Sequence, residues 1–111
     1  MFLVKNTRSF HKKIKKISRH YPNIVKDLLN IIDSLESGNF IGDAIPGFSR
    51  RVYKARVPSS DQKRGKRGGF RVIYYVVMDN KTVYLLTVYA KSRQQNIDPP
   101  LIQRLIEDLE T

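Results

Sequence analysis

From Phe10 to Tyr21 the apolar residues fall at Phe10, Ile14, Ile17 and Tyr21, steps that place them on one face of a helix whose other face is almost all lysine. Ser9 stands where such a helix needs a cap. The pattern restarts at Pro22, a residue suited to a first helical turn, and Ile24, Leu28, Ile31, Ile32 and Leu35 form a second stripe that Gly38 ends. A helical hairpin is therefore predicted, preceded by a short strand in "MFLVKN". After the turn-rich "NFIGDAIPGFS", with Gly42, Pro46 and Gly47 as breakers, the helical period gives way at Arg51 to strict alternation. "RVYKARVP", "FRVIYYVVMD" and "TVYLLTVYAK" read as strands rich in Val, Ile and Tyr, the last two antiparallel about a turn at Asp79-Asn80-Lys81. In "IDPPLIQRLIEDLE", Asp98 can cap a final helix with prolines in its first turn and Leu101, Ile102, Leu105, Ile106 and Leu109 as its stripe. The order of strand, helix, helix, three strands and helix predicts a small α+β domain, a single unit over residues 1–111, with helices on one face of an antiparallel sheet.

Strand parity then sorts the side chains. Tyr53, Ala55 and Val57 point one way and Val52, Lys54 and Arg56 the other. Phe70, Val72, Tyr74 and Val76 form the apolar set of the next strand, opposite Arg71, Ile73 and Tyr75. In the last strand Tyr84, Leu86, Val88 and Ala90 form the apolar set, opposite Thr87, Tyr89 and Lys91. If helices cover the apolar sets, Lys54, Arg56, Arg71, Tyr75, Tyr89 and Lys91 line one uncovered face. That alignment requires an odd-length loop near Asn80, because an even one puts Arg71 and Lys91 on opposite faces.

Composition gives this face a meaning beyond ordinary solvation. The 111 residues include 21 Lys plus Arg against 10 Asp plus Glu, a net charge of +11, so the expected partner is a polyanion or an acidic protein. No acid precedes Asp27, whereas Asp98, Glu107, Asp108 and Glu110 crowd the end. The apolar runs Val72–Met78 and Val83–Ala90 are far shorter than the roughly 20 residues of a spanning helix, and "MFLVKNTR" is short for a signal peptide. The absence of cysteine excludes a disulfide framework and a thiolate zinc site, and fits a cytoplasmic setting. His11 and His20 lack metal-ligand spacing, and no serine triad or carboxylate pair stands out. No metal and no small-molecule cofactor is expected; any catalysis falls to arginine, lysine and tyrosine.

Half-exposed strands ordinarily show polar residues to water, and lysine blunts sheet edges. Three features favour a nucleic-acid surface instead: few carboxylates to pair the cations, interleaved Tyr75 and Tyr89 able to stack on bases, and the adjacent "KRGKRGG". That loop lacks the spacing of a nucleotide-hydrolase phosphate loop and runs into a strand. Lys63, Arg64, Lys66 and Arg67 in a glycine-containing loop suit a nucleic-acid backbone, where each cation neutralises a phosphate.

"VYKARVP", a basic glycine-containing loop, "GGFRVIYYV" and "LLTVYAKS" together resemble the RelE/ParE superfamily of bacterial type II toxins, most closely its HigB-like branch. The specific similarity runs from about Val52 to Asn96, and the helical hairpin upstream fits the family fold. The resemblance implies a ribosome-dependent mRNA endoribonuclease that works without metal through the RNA's own 2′-hydroxyl, contacts ribosomal RNA, and is held inactive by a cognate antitoxin. By position it implies catalytic roles for Lys54, Arg56, Arg71 and Lys91. Lys54, between the like charges of Arg56 and Arg71, is a candidate proton acceptor. Two departures from the family pattern stand out: a further arginine after the basic position is Ser92 here, and a tyrosine near the C-terminus has no counterpart around Ile97. The gyrase-poisoning ParE branch usually lacks this cation set and is the second reading; a non-catalytic nucleic-acid-binding module is the third.

Overall fold

The computed structural model describes residues 1–62 and 68–110. Strand β1 (Leu3–Asn6) leads into helix α1 (Arg8–Ile17), followed by α2 (Ile24–Asp27), α3 (Leu29–Glu36) and β2 (Asp43–Ala44). Then come β3 (Val52–Val57), β4 (Phe70–Val77), β5 (Thr82–Ala90) and α4 (Pro99–Glu107), with a final 3-10 turn at Asp108–Glu110. The second apolar stripe thus becomes two helices divided at Leu28. Among the described residues five strands form one sheet in the order β1-β5-β4-β3-β2, with β1 and β5 parallel and the other neighbours antiparallel.

Helix α1 starts earlier than its apolar spacing indicates. Its cap is Thr7, not Ser9: the Phe10 amide donates to Thr7 Oγ1 at 3.1 Å. The same hydroxyl donates to the Leu85 carbonyl at 2.8 Å, so one side chain both caps the helix and ties it to β5. Thr7→Ala should cost about 1–2 kcal/mol in chemical denaturation, with Thr7→Ser retaining most of that stability.

The sheet is covered on both faces, which corrects the expectation of helices on one. On the first face Ala55, Val57, Phe70, Val72, Tyr74 and Val76 meet Phe10, Ile24, Leu28, Ile31 and Leu35 of the helical hairpin. On the second, Val52, Ile73 and Leu86 form a smaller core with Tyr89 beneath Ile102 of α4, joined by Ile97, Leu105 and Ile106. Those three aliphatic residues explain the added cover, since an exposed apolar strip of this kind gains by burial.

The β4–β5 hairpin differs from the parity argument in a second respect. Val77 pairs with Thr82, leaving an even loop of four residues, Met78–Lys81. A bulge does the work assigned to an odd loop. Ile73 pairs with Thr87 but Tyr74 with Leu85, so Leu86 is the extra residue. Below the bulge the assignment reverses: Val83 and Leu85 enter the first core, while Tyr84 and Leu86 lie on the second face. Above it Val88 and Ala90 face the hairpin and Tyr89 faces the other way, as their alternation predicts. No helix among the described residues is long and apolar enough to cross a membrane.

Candidate active site

Three strands carry a row of side chains across the second face. Arg56 of β3 is the direct partner of Arg71 of β4, which is in turn the partner of Tyr89 of β5. Lys54 lies one pleat away, opposite Ile73, and Lys91 follows β5 with its backbone N–H on the Gly69 carbonyl at 3.0 Å. The four cations singled out by sequence therefore converge at one end of the face. Like charges placed directly opposite each other on neighbouring strands repel, so the Arg56–Arg71 pairing is not a stabilising device.

Arg71 sits at the centre of the row and is only 4% exposed. Burial, followed by the charge of Arg56, lowers the pKa of its guanidinium, while Tyr89 acts in the opposite direction. Nη1 donates to the Gly68 carbonyl at 2.9 Å and to the Phe70 carbonyl at 3.2 Å. Asp61, which could have neutralised it, is otherwise engaged: its two carboxylate oxygens accept from the backbone and side-chain amides of Asn23 at 3.0 and 2.9 Å. Tyr89 is 3% exposed, and burial raises its pKa against the opposing influence of Arg71.

The other cations also meet neutral groups. Lys54 Nζ lies 3.3 Å from Asn96 Oδ1, and Lys91 Nζ 3.3 Å from Gln95 Oε1. Gln94 Nε2 reaches back to the Asn96 carbonyl at 2.9 Å, and the Tyr89 hydroxyl donates to the Gln95 carbonyl at 3.4 Å. The segment from Gln94 to Asn96 thus links Lys54 of β3 to the end of β5 and orients two lysines. Arg56 is exposed. Unlike carboxylates, amide and carbonyl oxygens orient these cations without cancelling their charge, which leaves a surface able to bind a phosphate group.

The tyrosines behave differently from the sequence expectation. Tyr75 stacks on Tyr84, with ring centroids 6.4 Å apart, and both pack against the core under α4. Tyr89 is covered as well, so neither ring stands free to stack on a base in this structure. The reason is α4, whose stripe needs an apolar floor that these rings help to supply. Lys63, Arg64, Lys66 and Arg67 lie outside the described residues. His11 and His20 are exposed, and no group of three or more potential metal ligands gathers among the described residues. Sequence reasoning passed over Gln95 and Asn96; the amide-rich "QQN" directly after a basic strand end was the available signal.

The family model described as the RelE toxin of the RelE/RelB toxin-antitoxin system matches residues 4–106. Among solved structures, a free-state variant of the Escherichia coli toxin RelE, with two arginines replaced by alanine, is similar at a TM-score of 0.60. The sequences are 16% identical over 96% of each chain, a likeness of fold.

Proposed function

Because this chain belongs to the RelE toxin family of toxin-antitoxin systems, we propose that it is a ribosome-dependent mRNA endoribonuclease whose cutting groups are Lys54, Arg56, Arg71 and Lys91. The observation that carries this reading is the cross-strand Arg56–Arg71 pair, two cations placed directly opposite each other, with the Arg71 guanidinium bonded to the neutral Gly68 and Phe70 carbonyls. In the proposed reaction the 2′-hydroxyl oxygen attacks the adjacent phosphorus, and the bond from phosphorus to O5′ breaks. The products are a 2′,3′-cyclic phosphate and a 5′-hydroxyl.

Charge accumulates on the non-bridging oxygens as the phosphorane forms, and preorganised cations oppose it most effectively where water is scarce. Arg56 supplies an exposed planar fork for two oxygens, and Arg71 a buried charge immediately behind it. Two protons must move. Lys54, whose Nζ is held by Asn96 Oδ1 at 3.3 Å, is the proposed acceptor of the 2′-hydroxyl proton. Lys91, as an ammonium, gives a proton to O5′, and exchange with solvent restores both lysines. Lys63, Arg64, Lys66 and Arg67 would add backbone contacts to mRNA and ribosomal RNA. A cognate antitoxin with an acidic segment would match the +11 charge and hold the toxin inactive in the cytoplasm.

The test uses purified protein on ribosomes loaded with a defined mRNA. Cuts within translated codons, abolished by a single 2′-deoxynucleotide at the cut site, are the expected result. Uncut mRNA would overturn the proposal, and uncut mRNA with damaged DNA in growing cells would favour gyrase poisoning.

A further inference from the structure

Gln62 lies outside the cation row yet touches the backbone on which two of its members hang. Its side-chain Oε1 accepts from the Gly69 amide at 2.7 Å, and its Nε2 donates to the Tyr21 hydroxyl at 3.0 Å. Gly69 is a hub: its carbonyl receives the Lys91 amide at 3.0 Å, and the neighbouring Gly68 carbonyl receives Arg71 Nη1 at 2.9 Å. The base of the clamp is itself anchored. Ser60 donates through its amide and its hydroxyl to Asp27 Oδ2 at 2.9 and 3.2 Å, Asp61 holds Asn23, and the Asp61 amide donates to Ser59 Oγ at 3.2 Å. The corner of the helical hairpin, from Tyr21 to Asp27, is thereby bonded to the chain leaving β3, and Gln62 extends that brace to the start of β4.

A bond from a side-chain amide to a glycine amide is informative here. Gly69 has a φ of +63° and carries no side chain of its own to fix its position, so the peptide plane between Gly68 and Gly69 must be held from outside. Rotation of that plane swings the Gly68 carbonyl, the acceptor closest to the Arg71 guanidinium. We infer that Gln62 is a positioning residue for the cation row, clamping the Gly68–Gly69 peptide so that Arg71 and the start of Lys91 keep their places. The inference rests on the nuclease reading above for its catalytic consequence, though not for its geometry.

Two measurements test it on the full chain. In the ribosome assay, Gln62→Ala should lower kcat about tenfold and leave KM within about twofold, short of the about 100-fold that an ångström of misplacement can cost. Gln62→Glu retains an oxygen acceptor for the Gly69 amide and should recover most of the rate. Without ribosomes, amide exchange at Gly69 should accelerate and the Arg71 side-chain NMR signal should shift in Gln62→Ala, with both near wild-type values in Gln62→Glu. A Gln62→Ala protein that cuts at the wild-type rate would overturn the inference, as would equal loss in both variants with Gly69 exchange unchanged. If the wild type cuts no RNA, the nuclease reading falls and the NMR arm decides alone: a moving Arg71 signal supports the clamp, and a stationary one removes it.

Discussion

Arg71→Ala should lower cleavage of ribosome-bound mRNA by about 100-fold or more, the scale of losing one preorganised transition-state donor. The structural consequence is smaller but real. The guanidinium is 4% exposed and donates to the Gly68 and Phe70 carbonyls, so its removal deletes both bonds at a cost of about 1–3 kcal/mol. Relief of repulsion from the directly opposed Arg56 offsets part of that cost. The variant should therefore fold, with a modestly lower Tm, and bind antitoxin. Arg71→Lys keeps the charge but not the planar fork, so it cannot hold both carbonyls and still face a phosphate, and rescue should be partial. Thermal unfolding measured beside cleavage separates the two effects. Full cleavage by Arg71→Ala, or a loss that merely tracks the unfolded fraction, would remove this face from catalysis.

The longer elements were legible in order and type because each has a clean period, whereas the two-residue strand β2, inside the segment read as a turn-rich connection, is too short to show one. Phe10, Ile14 and Ile17 repeat as a helix does, and Val72, Tyr74 and Val76 alternate as a strand does. What alternation could not reveal was a one-residue insertion. Leu85-Leu86 is apolar on both sides of the bulge, so either register buries a leucine, and the chain chooses the one that buries both. The cap at Thr7 was obscured by a hydroxyl at Ser9, and only the tertiary bond to Leu85 decides between them. For the site, parity found Arg56 and Arg71 as neighbours, since strand pairing follows from pattern. It did not find the depth at which Arg71 sits, because alternation says which face a side chain takes and not how far the Gly68 and Phe70 carbonyls draw its guanidinium in. Asn96, Gln95 and Gln62 were missed for a related reason: amide side chains carry no charge or period to mark them, and their roles exist only once remote backbone groups are placed beside them.

Gly69→Ala should be strongly damaging, because backbone strain and a direct collision coincide there. A Cβ at this position would lie 2.2 Å from the Val57 carbonyl oxygen and 3.1 Å from Pro58 Cα. Neither atom belongs to a flexible side chain. The Val57–Phe70 pair closes the β3–β4 ladder, so the end of β3 must move away from β4 to admit a methyl group. Left-handed backbone strain and forced repacking together should cost about 2–5 kcal/mol. The same movement displaces the Gly68 and Gly69 carbonyls on which Arg71 and the Lys91 amide depend, so cleavage should fall by about 100-fold or more in protein that remains folded. Gly47 provides the comparison. It also has a positive φ, +93°, but nothing lies within 4 Å of its added Cβ, so Gly47→Ala carries strain without collision and lies away from the cation row. Gly47→Ala should lose only about 1–3 kcal/mol and retain its cleavage rate per folded molecule. Urea titrations and ribosome cleavage on the two variants side by side decide the matter: a Gly69→Ala protein no less stable than Gly47→Ala and equally active would show that the glycine pair does not hold the cation row.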